Sequence, residues 1–64
     1  MYILEVYFPN ERRPHLLEQV TTGAEALARI PVLLHGHHGC EQVVVFHEGA
    51  RLFAEDCKGN TLPR

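Results

Sequence analysis

The run QVVVFHEGARLFAED, Gln42 to Asp56, constrains this chain more than any other stretch. Two segments rich in valine and phenylalanine are parted only by Glu48-Gly49, the pattern of a β-hairpin closed by a tight turn. Glu41 to His47 is expected as one strand and Ala50 to Cys57 as its return. A two-residue loop pairs His47 with Ala50, Phe46 with Arg51, Val45 with Leu52, Val44 with Phe53 and Val43 with Ala54. Counted further, Gln42 meets Glu55, Glu41 meets Asp56, and Cys40 meets Cys57. In that register the cysteines form a non-hydrogen-bonded pair, near enough for a disulfide or for two ligands on one metal. A three-residue loop with a bulge would offset the pair by one.

The hairpin also sorts residues by face. Val43, Val45, Leu52 and Ala54 share one side, and Val44, Phe46 and Phe53 share the other with Gln42, Arg51 and Glu55. Met1 to Phe8 reads as another strand, with Tyr2, Leu4, Val6 and Phe8 on one face and Ile3, Glu5 and Tyr7 on the other. After the turn signals of PNERRP, His15 to Val20 is expected as a short strand returning antiparallel.

A helix begins at Thr22, where Glu25 three residues later completes a capping box. Ala24, Leu27 and Ala28 make an apolar stripe at helical spacing. Pro31 removes a hydrogen bond and is expected to kink the helix or to start a second piece, Pro31 to His35, capped by Gly36. The order is strand, strand, helix, strand, strand. The fold class is α+β: one small domain over residues 1–64, an antiparallel sheet with one kinked or broken helix on one face, and a tail from Asn60 to Arg64.

With 64 residues such a domain buries a modest share of its surface, and oligomerisation is a common remedy. Its second sheet face has nothing in the chain to cover it. Ile3, Tyr7, Val44, Phe46 and Phe53 are therefore the expected interface, and a homodimer the expected assembly. Arg12, Arg13 and His37 lie on loops left free for a protein partner.

Charge points away from several classes. The net charge of −2 is scattered, with Arg12-Arg13 as the only basic cluster, so no nucleic-acid partner is expected. No apolar run approaches the roughly 20 residues of a membrane span. MYILEVYF carries Glu5 and no basic run, so no signal peptide is expected, and the compartment is read as a reducing cytoplasm with free thiols.

The stretch LHGHHGCEQ gathers three histidines and a cysteine between helix and strand. Its simplest reading is a polar connection, with imidazoles near a helix carboxyl end. A zinc site would draw on His35, His38, Cys40 and the distant Cys57. No catalytic residues are assigned, no cofactor is expected, and a chain this small has little room for a catalytic pocket. The function read from the sequence is a protein-binding module, accessory or inhibitory, including an inhibitor of phage origin. The alternative is a small metal-binding or thiol-redox protein using the His/Cys loop.

Overall fold

The computed structural model describes residues 1–63. The chain runs β1 (Tyr2–Tyr7), β2 (Leu16–Val20), α1 (Gly23–Gly36), β3 (Gln42–His47), β4 (Ala50–Asp56) and β5 (Thr61–Leu62). All strands join one antiparallel sheet in the order β2-β1-β3-β4-β5. This is the expected α+β class and ββαββ order, extended by one short strand. Thr61 and Leu62, expected as tail, pair with Glu55 and Ala54. Asp56 makes that return possible: its carboxylate accepts the backbone N–H groups of Lys58 and Asn60, each at 2.9 Å. Gly59 takes the positive φ of 87° that the turn requires.

Thr22 caps the helix as expected, though Glu25 meets its hydroxyl and not the backbone N–H of a full capping box. The Thr22 hydroxyl accepts the Glu25 N–H at 3.2 Å and donates to the Glu25 carboxylate at 3.1 Å. The buried face of α1 is Ala26, Ile30 and Leu33, and the expected stripe Ala24, Leu27 and Ala28 is exposed. Alanine and leucine lie on several sides of this helix, so more than one stripe satisfies the spacing. The sheet selects the one bearing Ile30 and Leu33. Nor is α1 broken at Pro31. It runs through to Gly36, and His37 is the C-cap, its N–H donating to the Leu34 carbonyl. Pro31 is exposed, and so is Leu27 one turn before it, so the carbonyl left without a donor lies on the solvent side.

The helix lies over β1 and β3. Leu4, Val6, Val43 and Val45 are at most 1% exposed and meet Ala26, Ile30, Leu33 and Cys40 in one cluster. At the β2 side, Arg29 clamps α1 to the sheet through a two-pronged bridge to Glu18, at 2.5 and 3.0 Å. That bridge holds the Glu18 carboxyl below its ordinary range.

The hairpin departs from the simple count. Glu48 (φ 54°) and Gly49 (φ 80°) form the tight turn, and His47–Ala50 and Phe46–Arg51 pair as expected. A bulge then intervenes, and Val45 faces Phe53, Val44 faces Ala54, Val43 faces Glu55 and Gln42 faces Asp56. Leu52 is the extra residue. The slip turns Phe53 inward against the core, where it replaces Ala54 beneath the helix layer. It also removes the Glu41–Asp56 apposition, which like charges disfavour.

Replacing Pro31 with alanine restores a donor for the Leu27 carbonyl. Pro31→Ala is expected to stabilise the fold by about 2 kcal/mol and to raise Tm by roughly 10 °C. Thermal unfolding followed by circular dichroism checks this. An unchanged or lower Tm would mean that the proline ring contributes packing that alanine loses.

Candidate functional site: an open sheet face and a thiol-lined groove

The face of the sheet opposite α1 is laid out by the strand registers. Its central row reads Leu17, Glu5, Val44, Ala54 and Leu62, from the β2 edge to the β5 edge. A neighbouring row reads Gln19, Ile3, Phe46 and Arg51, and on the other side Tyr7 and Gln42 lead to Asp56. Four of the five expected interface residues, Ile3, Tyr7, Val44 and Phe46, share this face. Phe53 does not: the bulge at Leu52 moves it to the helix side. Leu17 and Leu62 join the face instead. Leu17 was not legible, because Leu16 and Leu17 stand side by side and blur the alternation of that strand, and Leu62 needed the unforeseen fifth strand.

Val44 (6% exposed) and Ala54 (0%) are buried although no helix lies over them, so longer side chains on the same face cover them. Glu5 is the one carboxylate in the central row. The Tyr7 hydroxyl donates to it at 2.6 Å. That hydrogen bond, with burial and the negative charge, pushes the Tyr7 phenol up to about 12. The pair leaves the carboxylate partly satisfied within an otherwise apolar row.

The second feature lies at one end of the molecule, where the β1–β2 loop, the α1–β3 loop and the β4–β5 turn converge. Phe8, His15 and His37 cluster there, with Phe8–His15 centroids 4.7 Å apart and His15–His37 6.0 Å apart. His37 turns its Nδ1 to the Leu33 carbonyl at 2.8 Å. Its ring is thus engaged with the fold rather than presented on a free loop. Arg12 and Arg13 are exposed on the β1–β2 loop. In the sequence His15 reads only as a strand start and Lys58 only as part of the turn Lys58-Gly59-Asn60.

Between α1 and β4 runs an open groove of about 540 Å³. Leu27, Ile30, Pro31 and Leu34 supply its apolar lining, and His35, His38, Glu55, Cys57 and Lys58 its polar lining. The His35 and His38 rings are 5.7 Å apart. Cys57 is half-buried, and its Sγ lies 3.6 Å from the His37 carbonyl. Cys40 sits behind it in the core cluster, 6% exposed. Both are free thiols. They are neighbours, as the sequence suggested, but by a different path: Gln42 pairs with Asp56, and the loop before it carries Cys40 to Cys57. Burial, then the hydrogen bond and charge of Cys57, push the Cys40 thiol up to about 12. The same hydrogen bond from Cys40 lowers Cys57 below the ordinary thiol range.

The four expected zinc ligands thus divide: His35, His38 and Cys57 line the groove, and Cys40 lies beneath it. Among the described residues no group of three or more His, Cys, Asp or Glu side chains is placed to hold one ion. None of the described helices is long and apolar enough to cross a membrane. No family model matches the sequence, and no curated protein or solved structure shows significant similarity to it.

The Tyr7–Glu5 pair gives a direct optical check. In Glu5→Gln the carboxylate charge is gone, and the Tyr7 phenol is expected to fall from about 12 towards the ordinary value near 10. Ultraviolet titration in alkali, with Tyr7→Phe as the assignment control, measures it. A late-titrating tyrosine that persists in Glu5→Gln would assign the shift to burial alone.

Proposed function

We propose that this chain is a protein-binding module that self-associates through its open sheet face, and acts as an accessory or inhibitory protein rather than as a catalyst. The observation that carries this reading is the row Leu17, Glu5, Val44, Ala54, Leu62, flanked by Ile3 and Phe46, on a face with no covering layer. A standard interface takes about 800 Å² from each partner. That is just under a fifth of this chain's 4310 Å² surface, and a whole sheet face is the natural place to find it.

The charges of the face favour a second copy as the occupant. Glu5 on β1 and Arg51 on β4 flank β3 on opposite sides. A two-fold axis along β3 lays each β1 across the other copy's β4. Each Glu5 then lies across from the other copy's Ala54, one row (two residues of β3) along from its Arg51, so the arrangement is self-complementary in charge. Two sheets stacked this way bury both apolar rows about 10 Å apart. The convergent loops bearing Arg12 and Arg13 stay outside that contact and remain available to a protein partner. A cytoplasmic location fits two free thiols, one of them half-buried.

Phe46→Glu puts a charge in the middle of the contact without touching the helix-side core. The wild type is expected to sediment as a dimer at micromolar concentration and Phe46→Glu as a monomer, with unchanged circular dichroism. A variant of native secondary structure whose mass equals that of the wild type would sink the open-face dimer.

A further inference from the structure

The groove and the two thiols are not used by the open sheet face, and they form a site of their own. Cys57 lines the groove and is half-buried, and His35, His38, Lys58 and Glu55 make up the rest of its polar lining. Directly behind it lies a second thiol, Cys40, sealed in the core cluster. One groove-lining sulfur backed by one buried sulfur is the layout of an attacking and a resolving cysteine. We propose that Cys57 and Cys40 are a reversible dithiol–disulfide pair that exchanges with an external disulfide, whose substituent seats in the groove between α1 and β4.

The chemistry closes without any further reagent. The Cys57 thiolate attacks one sulfur of the external disulfide, whose S–S bond breaks. The first external thiolate leaves and takes a proton from water or from an imidazole at the groove rim. Cys57 is then held in a mixed disulfide. Cys40 gives up its proton and attacks the Cys57 sulfur, the new Cys40–Cys57 bond forms, and the second external thiolate leaves. Two protein thiols are oxidised by two electrons, and the external disulfide is reduced to two thiols.

The surroundings fit this order of events. While Cys57 is a thiolate, its charge and its hydrogen bond from Cys40 help to keep Cys40 protonated. Formation of the mixed disulfide removes that charge, and with it part of what holds the Cys40 proton. Cys40 follows Gly39, whose φ is 82°, in a loop anchored by the Cys40 N–H to the His37 carbonyl at 3.1 Å. A short loop segment, and not a strand, therefore has to move to bring the sulfurs to the roughly 2 Å of a disulfide bond.

The test uses the reduced full chain and oxidised glutathione, with rapid alkylation and intact mass measurement. The wild type is expected to pass through a single glutathione adduct to a form two hydrogens lighter that resists alkylation until a dithiol reductant is added. Cys40→Ala, chosen because it leaves no polar atom in the core, should stop at the adduct on Cys57. Cys57→Ser should react at least ~10-fold more slowly, since its remaining thiol is buried and poorly ionised. Circular dichroism of each variant separates loss of reactivity from loss of fold, and a fluorescent thiol probe on native wild type gives the Cys57-first order without any substitution. A wild type that accumulates a stable adduct, or adducts on both cysteines, would overturn the resolving role of Cys40. Labelling of Cys40 before Cys57 in the native protein would overturn the assignment of the attacking thiol.

Discussion

The seating of Ile30 and Leu33 on the paired rows of β1 and β3 is the contact on which the rest of this molecule depends. Leu4 lies opposite Val45 and Val6 opposite Val43, and all four are essentially sealed from solvent. With Ile30, Leu33, Ala26 and Cys40 they make a cluster of eight side chains among the described residues. So small a core cannot spare a member, since truncation of a buried aliphatic side chain to alanine costs about 2–5 kcal/mol. That total is comparable to what a small single core supplies in all. Cys40 belongs to this core as well as to the groove, so its chemistry and the packing are tied together.

The placement of the helix follows from the same contact. The chain leaves β2, crosses over β1 as α1 and returns as β3, so the helix must lie on one side of the sheet. Glu18 and Arg29 fix its lateral position at the β2 flank. A bidentate pair of this kind, solvent-screened at the surface, contributes only modestly to stability. Because Glu18 is held below its ordinary range, that contribution is present above the unfolded carboxyl pKa and is lost as pH falls through the folded one. One helix cannot cover two faces of a sheet. The open face is thus a topological outcome of the chain path, and its composition carries the functional argument.

Much of this was legible in the sequence, for identifiable reasons. The strands announce themselves by period-two alternation in MYILEVYF and by the valine run of QVVVFH, and Thr22 with Glu25 marks the helix start. The helix face was not read correctly: Ala26, Ile30 and Leu33 also fall at helical spacing, and they carry two large aliphatic side chains against the single leucine of Ala24, Leu27 and Ala28. The bulge at Leu52 was not legible either, since the tight turn and its first two pairs are the same with or without it. Its effect was to exchange Phe53 for Ala54 at the interface. The nearness of Cys40 and Cys57 survived that slip because the loop before β3, rather than the ladder, brings the sulfurs together. The groove could not be read at all, since Leu27 and Lys58 become neighbours of one cavity only in three dimensions.

The two margins of the sheet differ in a way that bears on how the protein behaves at high concentration. On one side β5 covers only Ala54 and Glu55, and the rest of that border is the first half of β4, Ala50 to Phe53, which carries the bulge at Leu52. On the other, β2 presents a full five-residue border. Sheets that can be extended from both borders grow into filaments, whereas a sheet extendable from one border stops after a single addition. Two copies meeting along β2 would end, at either extremity, in this bulged border of β4 and its two-residue β5. The bulge that turns Phe53 inward thus also interrupts the regular ladder of this border, a feature that disfavours the addition of a further strand there.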